Sequence, residues 1–216
     1  MGDVRAPVYL VRHGQSEWNV LRLTQGQTDH PRLTDLGRAQ AEAAASVLAA
    51  DLADGEARLV TSDLLRALET ARTIGDRLGV EPVLDFRLRE QHLGSLEGLR
   101  YEESWAHAEL HDWTDPELPM AGGESVAAVR RRLAEVLDAV DPAVPTVLVS
   151  HGDAIRAAIA LLLDQPVTDV PWVEVANGSV ARWDGELAWL DPVGDDGPDF
   201  AVDEHGTLPG TRPTPR

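Results

Sequence analysis

The 216-residue chain contains no cysteine and no lysine. Without cysteine there is no disulfide framework, no thiolate nucleophile and no cysteine-ligated zinc. Without lysine there is no Walker A loop, no Schiff-base chemistry and no kinase-type nucleotide lysine. All 19 basic residues are therefore arginine, and 37 acidic residues outweigh them, for a net charge of -18. A polyanion of that size is repelled by nucleic acid and by anionic membrane surfaces, so neither is expected as a partner. A locally positive pocket for a small anion is still compatible with it. Long apolar runs are missing too. The most apolar stretch, Ala157 to Leu163, is too short to span a bilayer. Met1 to Pro7 carries Asp3 and Arg5 before a short apolar run, and does not read as a leader. Ala6 stands where a myristoylation signal needs Ser or Thr. The absence of cysteine fits a cytoplasmic protein.

Strand and helix patterns alternate along the chain. Val8 to Val11, Arg58 to Thr61 and Thr146 to Val149 read as buried strands, and Pro82 to Leu84 as a short one. Thr34 is expected to cap a helix reaching about Leu52, and Ser62 or Asp63 a helix to about Leu78 that Gly79 stops. The stripe of the latter is Leu64, Leu68, Ala71, Gly75 and Leu78. Further helices are expected over Tyr101 to Trp113, from Ser125 or Glu124 through Val140, and from about Asp153 to Leu163. Val180 to Trp183 and Leu187 to Leu190 flank Asp184-Gly185 as a hairpin. The order predicts an α/β fold of three layers, helices on both faces of a mainly parallel sheet with an antiparallel edge. Residues 1–191 form one expected domain, and Pro192 to Arg216 reads as a mobile tail.

In such sheets ligands gather at the carboxyl ends of the strands. The polar residues there are Arg12, His13 and Gly14, then Ser62, Asp63 and Arg66, then Arg89 and Glu90, then Ser150, His151 and Gly152. Guanidinium groups suit phosphate oxygens, a neutral imidazole is a nucleophile toward phosphorus, and a carboxyl of raised pKa can protonate a leaving oxygen. The set matches phosphoryl transfer through phosphohistidine without a metal.

Arg12-His13-Gly14-Gln15-Ser16-Glu17-Trp18-Asn19 resembles the signature of the histidine phosphatase superfamily, the phosphoglycerate mutase-like family. Gln25-Gly26-Gln27-Thr28-Asp29, Leu33 to Gly37, Ser62 to Ala71, Glu90 to Gly98, Gly122-Gly123-Glu124-Ser125 and Ser150-His151-Gly152 follow in family order. The resemblance implies a phosphoglycerate mutase-like fold, His13 as the nucleophile, and Arg12, Arg66 and His151 as holders of the phosphoryl group. It implies Glu90 as acid and then base, and no metal or other cofactor. Asn19, Gln25, Gly26, Gln27, Thr28 and Gly152 join as substrate-binding positions. The partner expected is a small phosphorylated metabolite. The family's cofactor-dependent mutases carry a longer segment after the acid block, with His-Tyr-Gly and His-Gly-Asn where this chain has His92-Leu93-Gly94 and His151-Gly152-Asp153. The chain therefore resembles the phosphatase branch. A mutase and a non-catalytic phosphoester sensor are the alternatives.

The resemblance also makes residues 91–125 a segment that covers the site, with Trp105, His107, His111 and Trp113 as candidate substrate selectors. His107 and His111 have metal-ligand spacing but no third ligand in pattern, so an exposed polar helix is the plainer reading. Arg130-Arg131-Arg132 reads as a solvated face paired with Glu135 and Asp138.

Overall fold

The computed structural model describes residues 5–52, 56–168 and 173–190. The tail expected from Pro192 onward lies outside the described residues. In chain order the elements are β1 (Val8–Arg12), α1 (Glu17–Val20), α2 (Asp35–Leu52), β2 (Arg58–Thr61), α3 (Leu65–Leu78) and β3 (Val83–Leu84). Then come α4 (Tyr101–Glu109), α5 (Val126–Asp138), β4 (Thr146–Ser150), α6 (Gly152–Leu162), β5 (Val180–Trp183) and β6 (Leu187–Leu190). Among the described residues the sheet has six strands in the order β3-β2-β4-β1-β5-β6. The first four in that order run parallel, and β5 and β6 are antiparallel, as the hairpin signature predicts.

Alternation along the strands divides the core in two. Val8, Leu10 and Leu148 face α5 and α6, where Val129, Leu133, Val136, Ile155 and Ile159 meet them. Tyr9, Val11, Val147 and Val149 face α2 and α3, through Ala44, Ala45, Leu48, Ala67, Ala71 and Ile74. Small alanines at the contact let α2 and α3 approach closely, and each large aliphatic buried on either face contributes about 1.5–3 kcal/mol. No helix among the described residues is long and apolar enough to cross a membrane.

Three local expectations change. The buried stripe of α3 is centred on Ala67, Ala71 and Ile74 rather than on Leu68, because Arg66 turns inward. Leu64 is the N-cap of α3 with no side-chain cap bond. The two expected caps are engaged elsewhere: Ser62 Oγ with His151, and Asp63 with Arg89. Finally, α4 stops at Glu109 instead of Trp113, because Asp112 Oδ1 accepts from the Thr114 N–H and hydroxyl, a local turn that competes with the helix.

Candidate active site

The register of the sheet places the site. Arg12 and Ser150, the last residues of β1 and β4, are partners, and the His13 N–H donates to the Ser150 carbonyl at 3.0 Å. On the other side of β4, the Ser62 N–H donates to the Val149 carbonyl at 3.0 Å. Three neighbouring strands therefore release His13, His151 and Ser62 side by side. The two imidazole centroids are 5.1 Å apart, and both rings are buried.

His13 Nδ1 is 2.7 Å from the Gly14 carbonyl. A carbonyl only accepts, so Nδ1 carries the proton and Nε2 keeps its lone pair. The His13 carbonyl is itself fixed, by Asn177 Nδ2 at 3.0 Å and the Gly178 N–H at 3.2 Å. His151 Nε2 lies 2.9 Å from Ser62 Oγ. Burial, followed by the positive field of Arg66 and Arg12, holds both imidazoles well below their ordinary pKa. Each is neutral at neutral pH.

Arg66 enters from the first turn of α3 and is 1% exposed. Its Nη1 and Nη2 donate to the Thr28 and Gly26 carbonyls, each at 2.8 Å, while Nε finds no partner among the described residues. Burial lowers its pKa to about 10, Arg12 adding to the effect and Glu90 opposing it. The 25–28 loop thus serves Arg66 through its backbone. Gly26 adopts φ +48°, where a Cβ would collide with the Glu97 carboxylate. Gln27 Nε2 donates to the Glu90 carbonyl at 3.0 Å, and Gln25 Oε1 accepts from Ser16 Oγ at 2.8 Å.

Glu90 caps α6 from outside. Its carboxylate accepts from the N–H groups of Asp153 at 3.2 Å, Ala154 at 3.0 Å and Gln91 at 2.9 Å. These donors and the helix dipole favour the ionised form, but burial and the nearby Asp153 outweigh them and raise the pKa. Gly152 is the meeting point: a Cβ there would stand 3.9 Å from Arg12 Nε, 3.7 Å from Glu90 Oε2 and 3.4 Å from Arg156 Nη1. Arg12 is oriented by its Nη1, which donates to the Val175 carbonyl at 2.6 Å.

Asn19 is buried beside this group. Its Oδ1 accepts from the Ser16 N–H at 2.9 Å, and its Nδ2 reaches the Tyr101 hydroxyl at 3.4 Å. Tyr101 stacks on Trp105, with centroids 5.9 Å apart, and the Arg22 guanidinium lies over both rings. The start of α4 therefore approaches this group through Tyr101, on which Trp105 stacks. His107 is exposed, and His111 meets Trp113 edge to face beyond the far end of α4, about 12 Å along the helix from Tyr101. Among the described residues no cluster of three or more His, Asp or Glu is placed to hold a metal ion. Sequence reasoning missed Asn177, Tyr101 and Arg156. The Asn177-Gly178 turn before a strand was the available signal for the first, but its value depends on β5 lying against β1.

One lone-pair nitrogen, two guanidinium groups, a second imidazole and a carboxyl that retains its proton more readily than usual thus converge. They can bind a tetrahedral dianion, accept it on nitrogen and protonate what leaves.

The sequence profile of the histidine phosphatase superfamily (branch 1) matches residues 8–187. The chain is 39% identical over 136 residues to a probable phosphoglycerate mutase GpmB of Serratia proteamaculans (strain 568), covering 60% of each chain. It is 49% identical over 94 residues to the glucosyl-3-phosphoglycerate phosphatase of Mycolicibacterium vanbaalenii, covering 44% of this chain and 40% of the relative. The matches thus span at most about 60% of the length of these curated relatives. The structure of a mycobacterial glucosyl-3-phosphoglycerate phosphatase with VO3 superposes with a TM-score of 0.70 at 37% identity, over 85% of this chain and 96% of that one. A phosphoglycerate mutase of Thermus thermophilus gives 0.65 at 31%, over 86% and 99%. With the profile spanning most of its length and the fold shared with such structures, the chain belongs to the histidine phosphatase superfamily.

Proposed function

We propose that the chain is a metal-independent phosphomonoesterase acting in the cytoplasm on a small phosphorylated metabolite. The observation that carries the reading is the tautomer of His13: with Nδ1 tied to the Gly14 carbonyl, Nε2 is left as a lone pair beside Arg66, Arg12 and His151. In the first step Nε2 forms a bond to phosphorus, the ester P–O bond breaks, and the Glu90 proton passes to the departing alkoxide. In the second, water attacks phosphorus, its proton returns to Glu90, and the N–P bond breaks to release phosphate. Arg12, Arg66 and His151 stabilise the equatorial oxygens throughout. Asn19, the 25–28 loop and Gly152 shape the phosphoryl site, and Trp105 contacts the leaving group.

Names of relatives divide between phosphatase and mutase. The short covering segment, with its nine-residue helix α4, favours hydrolysis over retention of a bound intermediate. The test is p-nitrophenyl phosphate turnover in EDTA, a screen of phosphorylated metabolites, and a rapid quench for acid-labile label on His13, with His13→Ala as control. Label on His13 with phosphate release supports the reading. Rapid isomerisation of 3-phosphoglycerate with negligible phosphate release makes the protein a mutase. Phosphate binding without turnover makes it a sensor.

A further inference from the structure

The triple-arginine run of α5 does not form the solvated face that its spacing suggests. Arg131 is a surface residue, its side chain 61% exposed and paired with Glu117, but the Arg132 side chain is only 14% exposed and points toward the acid segment. Its Nη1 donates to the Arg87 and Arg89 carbonyls, both at 2.6 Å, and its Nη2 to the Glu90 carbonyl at 2.9 Å. Nε and Nη2 also grip the two oxygens of Glu124, at 2.9 and 3.1 Å. Glu124 Oε2 in turn accepts from the His92 N–H at 2.9 Å and from Gln27 Nε2 at 3.2 Å. The Gln91 side chain donates to the Glu124 carbonyl at 2.8 Å, and the Glu124 N–H to the His92 carbonyl at 2.7 Å.

Residues 89–92 belong to no helix or strand, so their backbone carbonyls have no ladder to satisfy them. The Arg132 guanidinium serves those of Arg89 and Glu90, the latter shared with Gln27, and the Glu124 N–H serves that of His92. We infer that Arg132, locked by Glu124, is a positioning residue that sets the main chain of the acid segment so that the Glu90 carboxyl meets the leaving oxygen. The inference rests on the reading of Glu90 as the general acid. A lysine cannot replace this function, because an ammonium carries the charge but lacks the fork that spans three carbonyls and a carboxylate.

A mispositioned acid harms only substrates whose leaving group needs a proton. Nitrophenolate departs unprotonated, whereas an alkoxide does not. The experiment compares first-turnover rates of His13 phosphorylation from glycerol phosphate and from p-nitrophenyl phosphate in the full chain, the wild type and Arg132→Lys, with Glu90→Gln as reference. General acid catalysis contributes about 10²–10⁴-fold. Arg132→Lys should therefore slow phosphorylation from glycerol phosphate by about 10²-fold and from the nitrophenyl ester by less than about threefold. Equal loss on both esters, or loss on neither, overturns the inference. If Glu90→Gln itself shows no leaving-group dependence, the assignment of Glu90 fails instead. Should Arg132→Lys not fold, Glu124→Gln reads the same ratio and must move it in the same direction.

Discussion

Arg66 is a buried cation held by two carbonyls, and its replacement by methionine separates binding from stability. Burial lowers the guanidinium pKa from its ordinary value to about 10. At 1.36 kcal/mol per pH unit, the folded state disfavours the charge by about 3 kcal/mol. Because the group is a base with a lowered pKa, that cost is present in full at neutral pH and fades only as the pH rises past about 10. Arg66→Met removes it, but leaves the Gly26 and Thr28 carbonyls without their donors, at about 1–3 kcal/mol each. The two effects largely offset, leaving between about 1 kcal/mol gained and about 3 kcal/mol lost, so the melting temperature should move by no more than about 12 °C, at 2–4 °C per kcal/mol for a chain of this size. Turnover should nevertheless fall by at least about 10²–10³-fold, the loss typical of one transition-state donor. Inorganic phosphate separates the two roles further. At about 100 times its dissociation constant it should stabilise the wild type by about 2.7 kcal/mol and the variant hardly at all. Calorimetry with and without phosphate, beside p-nitrophenyl phosphate turnover, measures all three quantities. A variant that keeps its phosphate-induced shift, or retains near-native turnover, would refute the reasoning.

Asp153→Asn removes a negative charge that helps burial to raise the Glu90 pKa. The alkaline limb of kcat/KM, where Glu90 loses its proton, should move to lower pH, while the acid limb set by His13 stays put; an unmoved alkaline limb assigns it to another group. Gly26→Ala places a side chain in the left-handed region against the Glu97 carboxylate. About 1–2 kcal/mol of backbone strain plus the collision should lower the melting temperature and raise KM, and a neutral result in both would mean that the 25–28 loop does not hold Arg66 as described. Trp105→Ala should change the preference among phosphorylated metabolites by more than about fivefold, and His107→Ala by less than about twofold. A larger effect at His107 would place the leaving group along the exposed face of α4.

The residues at the carboxyl strand ends were readable because the chain marks them twice, by their place after apolar runs and by glycines whose backbone approaches a neighbour, as at Gly14, where a Cβ would collide with the Gly37 carbonyl. The α/β order and the terminal hairpin were equally plain, since period-two and period-3.6 patterns do not overlap there. What escaped depends on distant partners. Arg132 looks like its two neighbours in the run, and only the packing of α5 against residues 87–90 turns it inward. The caps of α3 were misread because Ser62 and Asp63 have stronger partners, His151 and Arg89, contributed by other segments. Of the α3 stripe, Leu64, Ala71 and Gly75 are buried as the spacing predicts, whereas Leu68 gives way to Ala67 and Ile74 on the side to which Arg66 also turns.

The place of β4 in the sheet has a kinetic consequence. β1 pairs with nothing near it in sequence: Val8 waits for Thr146 on one side and for Trp183 on the other. Closing loops that long is slow, so the first strand made is among the last to be paired. During synthesis, Arg12 and His13 therefore leave the ribosome long before the partners that give them their electrostatic surroundings. A nascent chain carries a solvated imidazole at His13, and the burial that sets its protonation in the fold comes only once β4 and β5 have been made.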